Sequence, residues 1–214
     1  MLLTQIQMKT NQIPRGVMNH KGKTNPPGRI KIMKSFYSLM KEKDFHSITT
    51  AEIAKNAAVT EGLIYKYFKD KRDLIYQVLN DHFFEFMAKI ENRVAHEKTC
   101  AEKLEVIIYT SLESYADNRV FSKILLLEVR NSPDYFNSGA YGLVRKYAGI
   151  ILTIIEEGIK TKELKSDTDP YVLRKVILGA IEHACLGEII FGRELDIDKV
   201  ASGITHIVFN GVKK

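Results

Sequence analysis

The sequence predicts an all-α protein, a three-helix head near the N-terminus followed by a larger helical bundle, about nine helices in all. Three observations carry the prediction. From Arg29 onward the apolar residues recur three and four apart, the period of a helix that buries one face. No stretch between turn residues alternates apolar and polar side chains as a half-buried strand would. The breaks in the period carry helix-start chemistry, with Thr49 three residues before Glu52, and Asp167 leading to Pro170. A chain of 214 residues, 45% of them hydrophobic, has enough apolar surface to close a core.

Residues 1–27 hold Pro14, Gly16, Gly22, Pro26 and Pro27 among Lys, Asn and Thr. That composition neither sustains a helix nor buries a face; it reads as a flexible basic arm, or as an upstream extension if Met8 or Met18 is the start. The first helix is expected at about Arg29 to Lys43, with Ile30, Met33, Phe36, Tyr37 and Met40 inward and Lys31, Lys34 and Lys41 outward. A second begins at Thr49, whose hydroxyl accepts the Glu52 N–H while the Glu52 carboxylate reaches back, and runs to about Asn56. Ala57, Ala58 and Val59 make a turn, Thr60 caps a third short helix ending near Phe68, and Ile64 and Phe68 are its inward residues. The fourth, longer helix starts near Asp70 and passes Ile90, burying Leu74, Val78, Phe83 and Met87. Further helices are expected at about Cys100 to Ala116, Val120 to Val129, Phe136 to Lys160, Pro170 to Phe191 and Asp198 to Asn210. The domain boundaries follow as arm 1–27, head 28–75 and body 76–214.

Several classes drop out. No segment reaches the eighteen or so uninterrupted apolar residues of a membrane span, and Met1 to Lys9 lacks the apolar block of a secretion signal, which points to the cytoplasm. Cys100 and Cys185 stand apart with no CxxC, so neither a zinc site nor a disulfide framework is expected and both read as buried or half-buried thiols. His96 with Cys100, and Glu182 beside His183, lack the further partners that a metal or proton-transfer site needs. No Gly-rich phosphate loop, nucleophile elbow or HExxH occurs. No catalytic residue, metal or cofactor is expected.

Charge is distributed unevenly. Residues 1–75 carry 14 Lys and Arg against 6 Asp and Glu, and the remainder 18 against 20. A basic head on a near-neutral body suits a protein whose head meets a polyanion. Two short helices joined by a three-residue turn behind a longer helix are the helix-turn-helix plan, in which the second short helix enters the major groove of DNA. With Ile64 and Phe68 buried, the other face of that helix shows Glu61, Gly62, Leu63, Tyr65, Lys66 and Tyr67, where phosphates and base edges would lie. Gly62 costs a helix interior about 1 kcal/mol, which makes sense where a backbone must approach closely. Lys71 and Arg72 oppose the dipole in the first turn of the fourth helix, and a phosphate there would satisfy both. Asp70 and Asp73 are the competing partners.

In this segment Thr49, Ile53, Ala54, Ala57 to Thr60, Gly62, Ile64, Tyr65, Tyr67, Phe68, Lys71 and Leu74 resemble the TetR family of regulators over about Arg29 to Tyr76. The resemblance implies a dimeric DNA-binding regulator, a repressor, acting on a palindromic double-stranded operator. It implies that Thr49 and Thr60 cap and touch phosphates, that Thr50, Glu61 and Gly62 share the contact face, that Tyr65 and Tyr67 contact backbone or base edges, and that Lys71 holds a phosphate. Leu63 and Lys66 fall on variable positions and would set sequence preference. The family's usual turn glycine is Ala58 here, so a left-handed backbone at that position would cost about 1 to 2 kcal/mol.

The family dimerises through its last two helices. In keeping with this, Ile197, Val200, Ile204, Ile207 and Val208 form a stripe, and Val176, Ile177, Ala180, Ile181 and Ala184 another beside Gly179 and Gly187. The expected interface is Val176, Ala180, His183, Ala184, Gly187, Val200, Ile204, Ile207 and Val208, with self-packing of both stripes as the competing reading. Glu128 to Gly192 is similar to the FadR-like, acyl-CoA-responsive branch through Leu127 to Arg130, Tyr141, Arg145, Tyr147, Glu156 to Gly158 and Leu178 to His183. This likeness implies a small hydrophobic effector, with Tyr109, Glu128, Arg130, Arg145 and Arg174 as the candidate ligand residues. Glu182 and His183 read as interface polar residues first, with pocket residues or a pH-sensitive pair as the alternatives. A ligand-free architectural DNA binder shares the head without the pocket, and a helical enzyme is the remaining rival.

Overall fold

The computed structural model describes residues 25–212, so most of the predicted basic arm lies outside the described residues. Nine α-helices and no strand occur among them. The first helix, α1 (Pro27–Glu42), starts on Pro27, whose fixed φ suits the opening turn. Its buried residues are Ile32, Ser35, Phe36, Leu39 and Met40. The inward stripe predicted for it was thus rotated: Ile30, Met33 and Tyr37 are only half-buried. The reason is that α1 is packed by α2, α3, α4 and α6 together, which bury more than one narrow face.

A 3-10 turn, Phe45–Ser47, follows, with Phe45 buried edge-on against Phe36. Helix α2 (Thr50–Ala57) is capped by the Thr49 hydroxyl, which accepts the Glu52 N–H at 3.1 Å. The Glu52 carboxylate is bound mainly by Lys43, and that hydrogen bond lowers its pKa. Ser35 donates to the Ile53 carbonyl at 2.8 Å and locks α2 onto α1. Ala58 takes the left-handed conformation at φ 52°, ψ 50°. Helix α3 (Glu61–Tyr67) is followed by α4 (Lys71–Val94), capped by Asp70, which accepts the Asp73 N–H at 2.7 Å.

At 24 residues, α4 is about 36 Å long and runs from the head into the body. There it packs against α5 (Cys100–Asp117) and α7 (Gly139–Lys160). A full Thr99–Glu102 capping box opens α5, a signature legible in the sequence and not drawn from it. The segment expected as one helix from Val120 is α6 (Arg119–Lys123) continued by a wider π turn, Ile124–Glu128. Phe136 lies in a 3-10 turn, Pro133–Asn137, and α7 starts only after Ser138 caps it. Helices α8 (Pro170–Phe191) and α9 (Ile197–Val212) complete the body. Helix α5 is the central post, touching α4, α6, α7, α8 and α9. Both cysteines are buried and unpaired. Where α7 meets the start of α5, a Cβ on Gly158 would lie 2.5 Å from the Cys100 sulfur, so only glycine permits that approach.

Candidate functional site

Helix α3 is held from below by Ile64 and Phe68, both buried, which leaves a crest and two flanks. The crest is Gly62 and Lys66, both exposed, and a Cβ built on Gly62 would meet nothing within 4 Å. On the flank toward α2, Thr50 donates to the Glu61 carboxylate, and its hydroxyl oxygen lies 3.4 Å from the Tyr65 hydroxyl. Tyr65 is 56% exposed. On the flank toward α1, Leu63 and Tyr67 close over Gly28, where an added Cβ would come within 2.9 Å of Leu63 and 3.3 Å of Tyr67. These two predicted contact residues are therefore half-buried struts; the expectation that the whole upper face of α3 is free holds for Glu61, Gly62, Tyr65 and Lys66. Thr60 occupies the cap position with no side-chain capping bond, contrary to expectation, and its hydroxyl is exposed.

Lys71 has partners within the chain that the sequence reading did not foresee. Its ammonium donates to the carbonyls of Phe45 and Ile48 at 2.7 and 2.6 Å and sits 4.3 Å above the Phe45 ring. Two of its three N–H bonds thus tie α4 to the 3-10 turn, leaving one for a phosphate. Burial lowers its pKa, with Arg72 adding to the effect and Glu128 opposing it. Asp70 and Asp73 are engaged with backbone N–H groups at the start of α4, so neither is its partner.

Head and body meet along a mixed seam. Lys123 of α6 pairs with Asp44, which lowers the pKa of that carboxyl, and His46 lies 3.8 Å from Glu128. Deeper in, the Tyr37 hydroxyl of α1 donates to Asn118 Oδ1 at 2.8 Å. Asn118 faces His82 Nδ1 at 3.1 Å, and His82 Nε2 lies 3.3 Å from Ser114 Oγ. This row of four side chains, from α1, α4 and the end of α5, was absent from the expected site. On one side the seam opens into a cleft of about 380 Å³ lined by Lys69, Arg72, Tyr76, Asn80, Asn137 and Ser138 among others.

The five candidate effector residues do not converge. Tyr109 faces Asp198 at the start of α9, whose charge raises its pKa. Glu128 belongs to the seam with the head. The Arg145 side chain is exposed on α7, and the Arg174 guanidinium lies 5.6 Å from the Tyr171 ring on the outside of α8. Arg130 donates two hydrogen bonds to Glu182 at 2.8 and 2.6 Å, which raises its pKa, and both side chains stay partly open to solvent. This pairing joins Glu182 of α8 to the stretch that follows the π turn. Side-chain direction around each helix separates residues that looked equivalent along the chain.

Near that pair stand Tyr147, which the likeness to the acyl-CoA-responsive branch included, and Tyr115 and Tyr135, which the sequence reading did not single out. Tyr147 is buried, and its hydroxyl lies 2.7 Å from Ser111 Oγ, which itself donates to the Ile107 carbonyl at 2.6 Å; the phenol is thus the donor to the serine. Burial raises the pKa of Tyr147 and Tyr115, and brings Tyr135 to about 12. The signal was Thr110, Ser111 and Ser114 on the inward stripe of α5 beside Ile107, Ile108 and Leu112, where a closed core wants apolar residues.

An apolar face remains open on α8 and α9. Val176 is 51% and Ile207 75% exposed, with Tyr171, Val172, Ile190 and Phe191 also outward. His183 is exposed, whereas Ala180, Ala184, Gly187, Val200 and Ile204 are half-buried beside them. Val208 is a correction: at 6% exposure it lies in the chain's own core with Ala201 and Phe209, on the face of α9 that packs on α5 and α8. Among the described residues no three of His, Cys, Asp and Glu come together to hold a metal ion, and no helix is long and apolar enough to cross a membrane.

Comparison with known proteins adds independent findings. The family described as bacterial regulatory proteins, tetR family, matches residues 32–78, and the family described as YsiA-like protein, C-terminal region, matches residues 79–211. The chain is similar to the fatty acid metabolism regulator protein of Bacillus subtilis, with 24% identity over 190 residues that cover 89% of this chain and 98% of that protein. Its fold is similar to that of the transcriptional regulator FadR from Bacillus subtilis, solved in complex with stearoyl-CoA, with TM-score 0.77, 23% identity and coverage of 85% and 98% of the two chains. FadR from Bacillus halodurans aligns with TM-score 0.79 at 20% identity, covering 88% and 98%.

Proposed function

Because the chain belongs to the TetR family of bacterial transcriptional regulators, we propose that it is a cytoplasmic repressor that binds a palindromic operator as a homodimer and is released by a hydrophobic effector, a fatty acyl-CoA. The observation that carries the DNA-binding part is the crest of α3. Gly62 stands bare, and Glu61, Tyr65 and Lys66 are exposed around it on a helix braced from both flanks. A bare backbone flanked by hydroxyl and ammonium donors fits a groove lined with phosphates. In this reading Thr49, Thr50 and Thr60 lie at the phosphate border, and Leu63 and Tyr67 support the crest.

Dimerisation through α8 and α9 is supported by the open apolar face, whose large exposed side chains are costly in water and matched by bare glycine positions where a second backbone can approach. The domains then divide as a head that opens with α1 at Pro27 and runs to about residue 75 and a body at 76–214, with the basic arm ahead of the head. For the effector, the supporting features are the buried hydroxyls of Ser111 and Tyr147 and the nearby Arg130–Glu182 pair. An anionic or carbonyl-bearing ligand would take over the arginine from Glu182. Release of DNA then requires that the occupied body favours a head separation that no longer fits half-sites about 34 Å apart. The ties at Tyr37, Asp44 and Glu128 are the contacts through which the head would follow the body.

Selection of bound sequences from randomised DNA, followed by mobility shift with and without stearoyl-CoA, tests the proposal. Expected are a palindrome, loss of binding in Tyr65→Ala and Lys66→Ala with the fold retained, and release by the acyl-CoA but not by an aromatic acid. Binding spread over any DNA would replace the repressor by an architectural role, and full occupancy at saturating acyl-CoA would remove the effector class.

A further inference from the structure

A carboxylate on a surface meant for a polyanion calls for a physical reason, and the surroundings of Glu61 supply one. It occupies the first position of α3, exposed, on the same flank as Tyr65 one turn later. Thr50 of α2 donates its hydroxyl proton to Oε1. Because that proton is spent on an acceptor-only group, the Tyr65 O–H at 3.4 Å approaches the Thr50 oxygen as donor. Tyr65, Thr50 and Glu61 thus form one directed row across the outer ends of two helices. Among the described residues Oε2 makes no hydrogen bond and Glu61 no ion pair, so one acceptor oxygen is oriented and unspent.

Base edges in the major groove offer few partners for such a group. Guanine presents only acceptors there, and thymine an acceptor and a methyl group. Donors come from cytosine N4 and adenine N6, and beside adenine N6 lies the N7 acceptor, which repels a carboxylate and favours an amide. Cytosine has no acceptor beside N4. The residues at the N-terminus of a recognition helix are those that reach base edges.

We propose that Glu61 reads a cytosine in each operator half-site, with Thr50 and Tyr65 as positioning residues that aim its carboxylate; this rests on the operator reading of α3. Repulsion from the phosphates is the cost, and rejection of the other three bases at that position is the gain in specificity. The expected discrimination is roughly ten- to hundred-fold between cytosine and another base.

The test is sequence selection from randomised DNA by the full-length wild type, Glu61→Gln, Glu61→Ala and Thr50→Val, each checked for an unchanged thermal transition. The wild type is expected to select a palindrome with one strongly preferred cytosine per half-site. Glu61→Gln should keep the palindrome and move that one position to adenine, which an amide pairs with at N6 and N7. Glu61→Ala should lose preference there alone, and Thr50→Val should soften it there alone. A wild type that selects no DNA removes the operator reading itself. A wild-type palindrome whose every position survives both Glu61 substitutions overturns the proposal, as does a uniform rise in affinity for all DNA in Glu61→Ala, which would make the carboxylate only a repulsive filter.

Discussion

His82 ties the body to the head, and its titration can be worked out from its neighbours. Asn118 Oδ1 already accepts from the Tyr37 hydroxyl and from the Phe121 N–H, so the amide presents N–H to His82 Nδ1. That nitrogen must be bare, and the proton of the neutral ring sits on Nε2 toward Ser114. A second proton would set two N–H groups against each other and unseat the amide that holds Tyr37. Burial, with a smaller push from Lys89, lowers the imidazole from 6.5 to about 4. Between those values the unfolded chain binds a proton that the folded chain refuses, so stability fully present above 6.5 is lost as pH falls. The gap corresponds to about 3 kcal/mol in full and about 2 kcal/mol at pH 5. His82→Gln keeps one acceptor and one donor for the same partners and does not titrate. Urea unfolding of both proteins at about pH 7.5, 6 and 5 isolates the histidine, since carboxylates held low, such as Glu102 and Glu113, titrate in both. The wild type should lose about 2 kcal/mol more than His82→Gln over that range. Equal losses would refute the neutral, buried ring and the relay built on it.

Further outcomes follow from single contacts. Ala58 sits at φ 52°, where alanine is strained by about 1 to 2 kcal/mol, and glycine gives back about 0.4 to 1 kcal/mol through its freer unfolded chain. Ala58→Gly should therefore stabilise the protein by about 0.5 to 1 kcal/mol in denaturant titration, and a loss of stability would contradict the strained turn. Lys71→Ala removes two charge-assisted bonds to the Phe45 and Ile48 carbonyls and should cost about 2 kcal/mol of stability. Unchanged stability would contradict the structural share of Lys71 and leave only its phosphate contact. Ile207→Glu places a charge on the open face of α9 and should yield a folded monomer by light scattering, with operator affinity down by more than about tenfold. A persistent dimer would move the interface elsewhere.

Much of the local order was legible from the chain alone. The Thr49 cap, the α8 start at Pro170, the buried pair Ile64 and Phe68, and the left-handed strain at Ala58 all depend on residues within one or two turns of each other. Charge asymmetry and the helix-turn-helix spacing are likewise local or summed properties. Such features are set by backbone hydrogen bonding and by the helical period, which act between near neighbours.

Tertiary structure decided which way each helix turns its remaining sides. Tyr37 meets Asn118 across 81 positions, and Arg130 meets Glu182 across 52. Leu63 and Tyr67 became struts because Gly28 lets α1 come close, and Val208 went inward because α9 lies along α5. Lys71 found carbonyls rather than carboxylates because the 3-10 turn at Phe45–Ser47 passes over it. A helical period tells that one stripe is buried; the crossing of neighbouring helices determines how wide that stripe is and what a polar residue at its edge touches, and those crossings come from packing among distant segments.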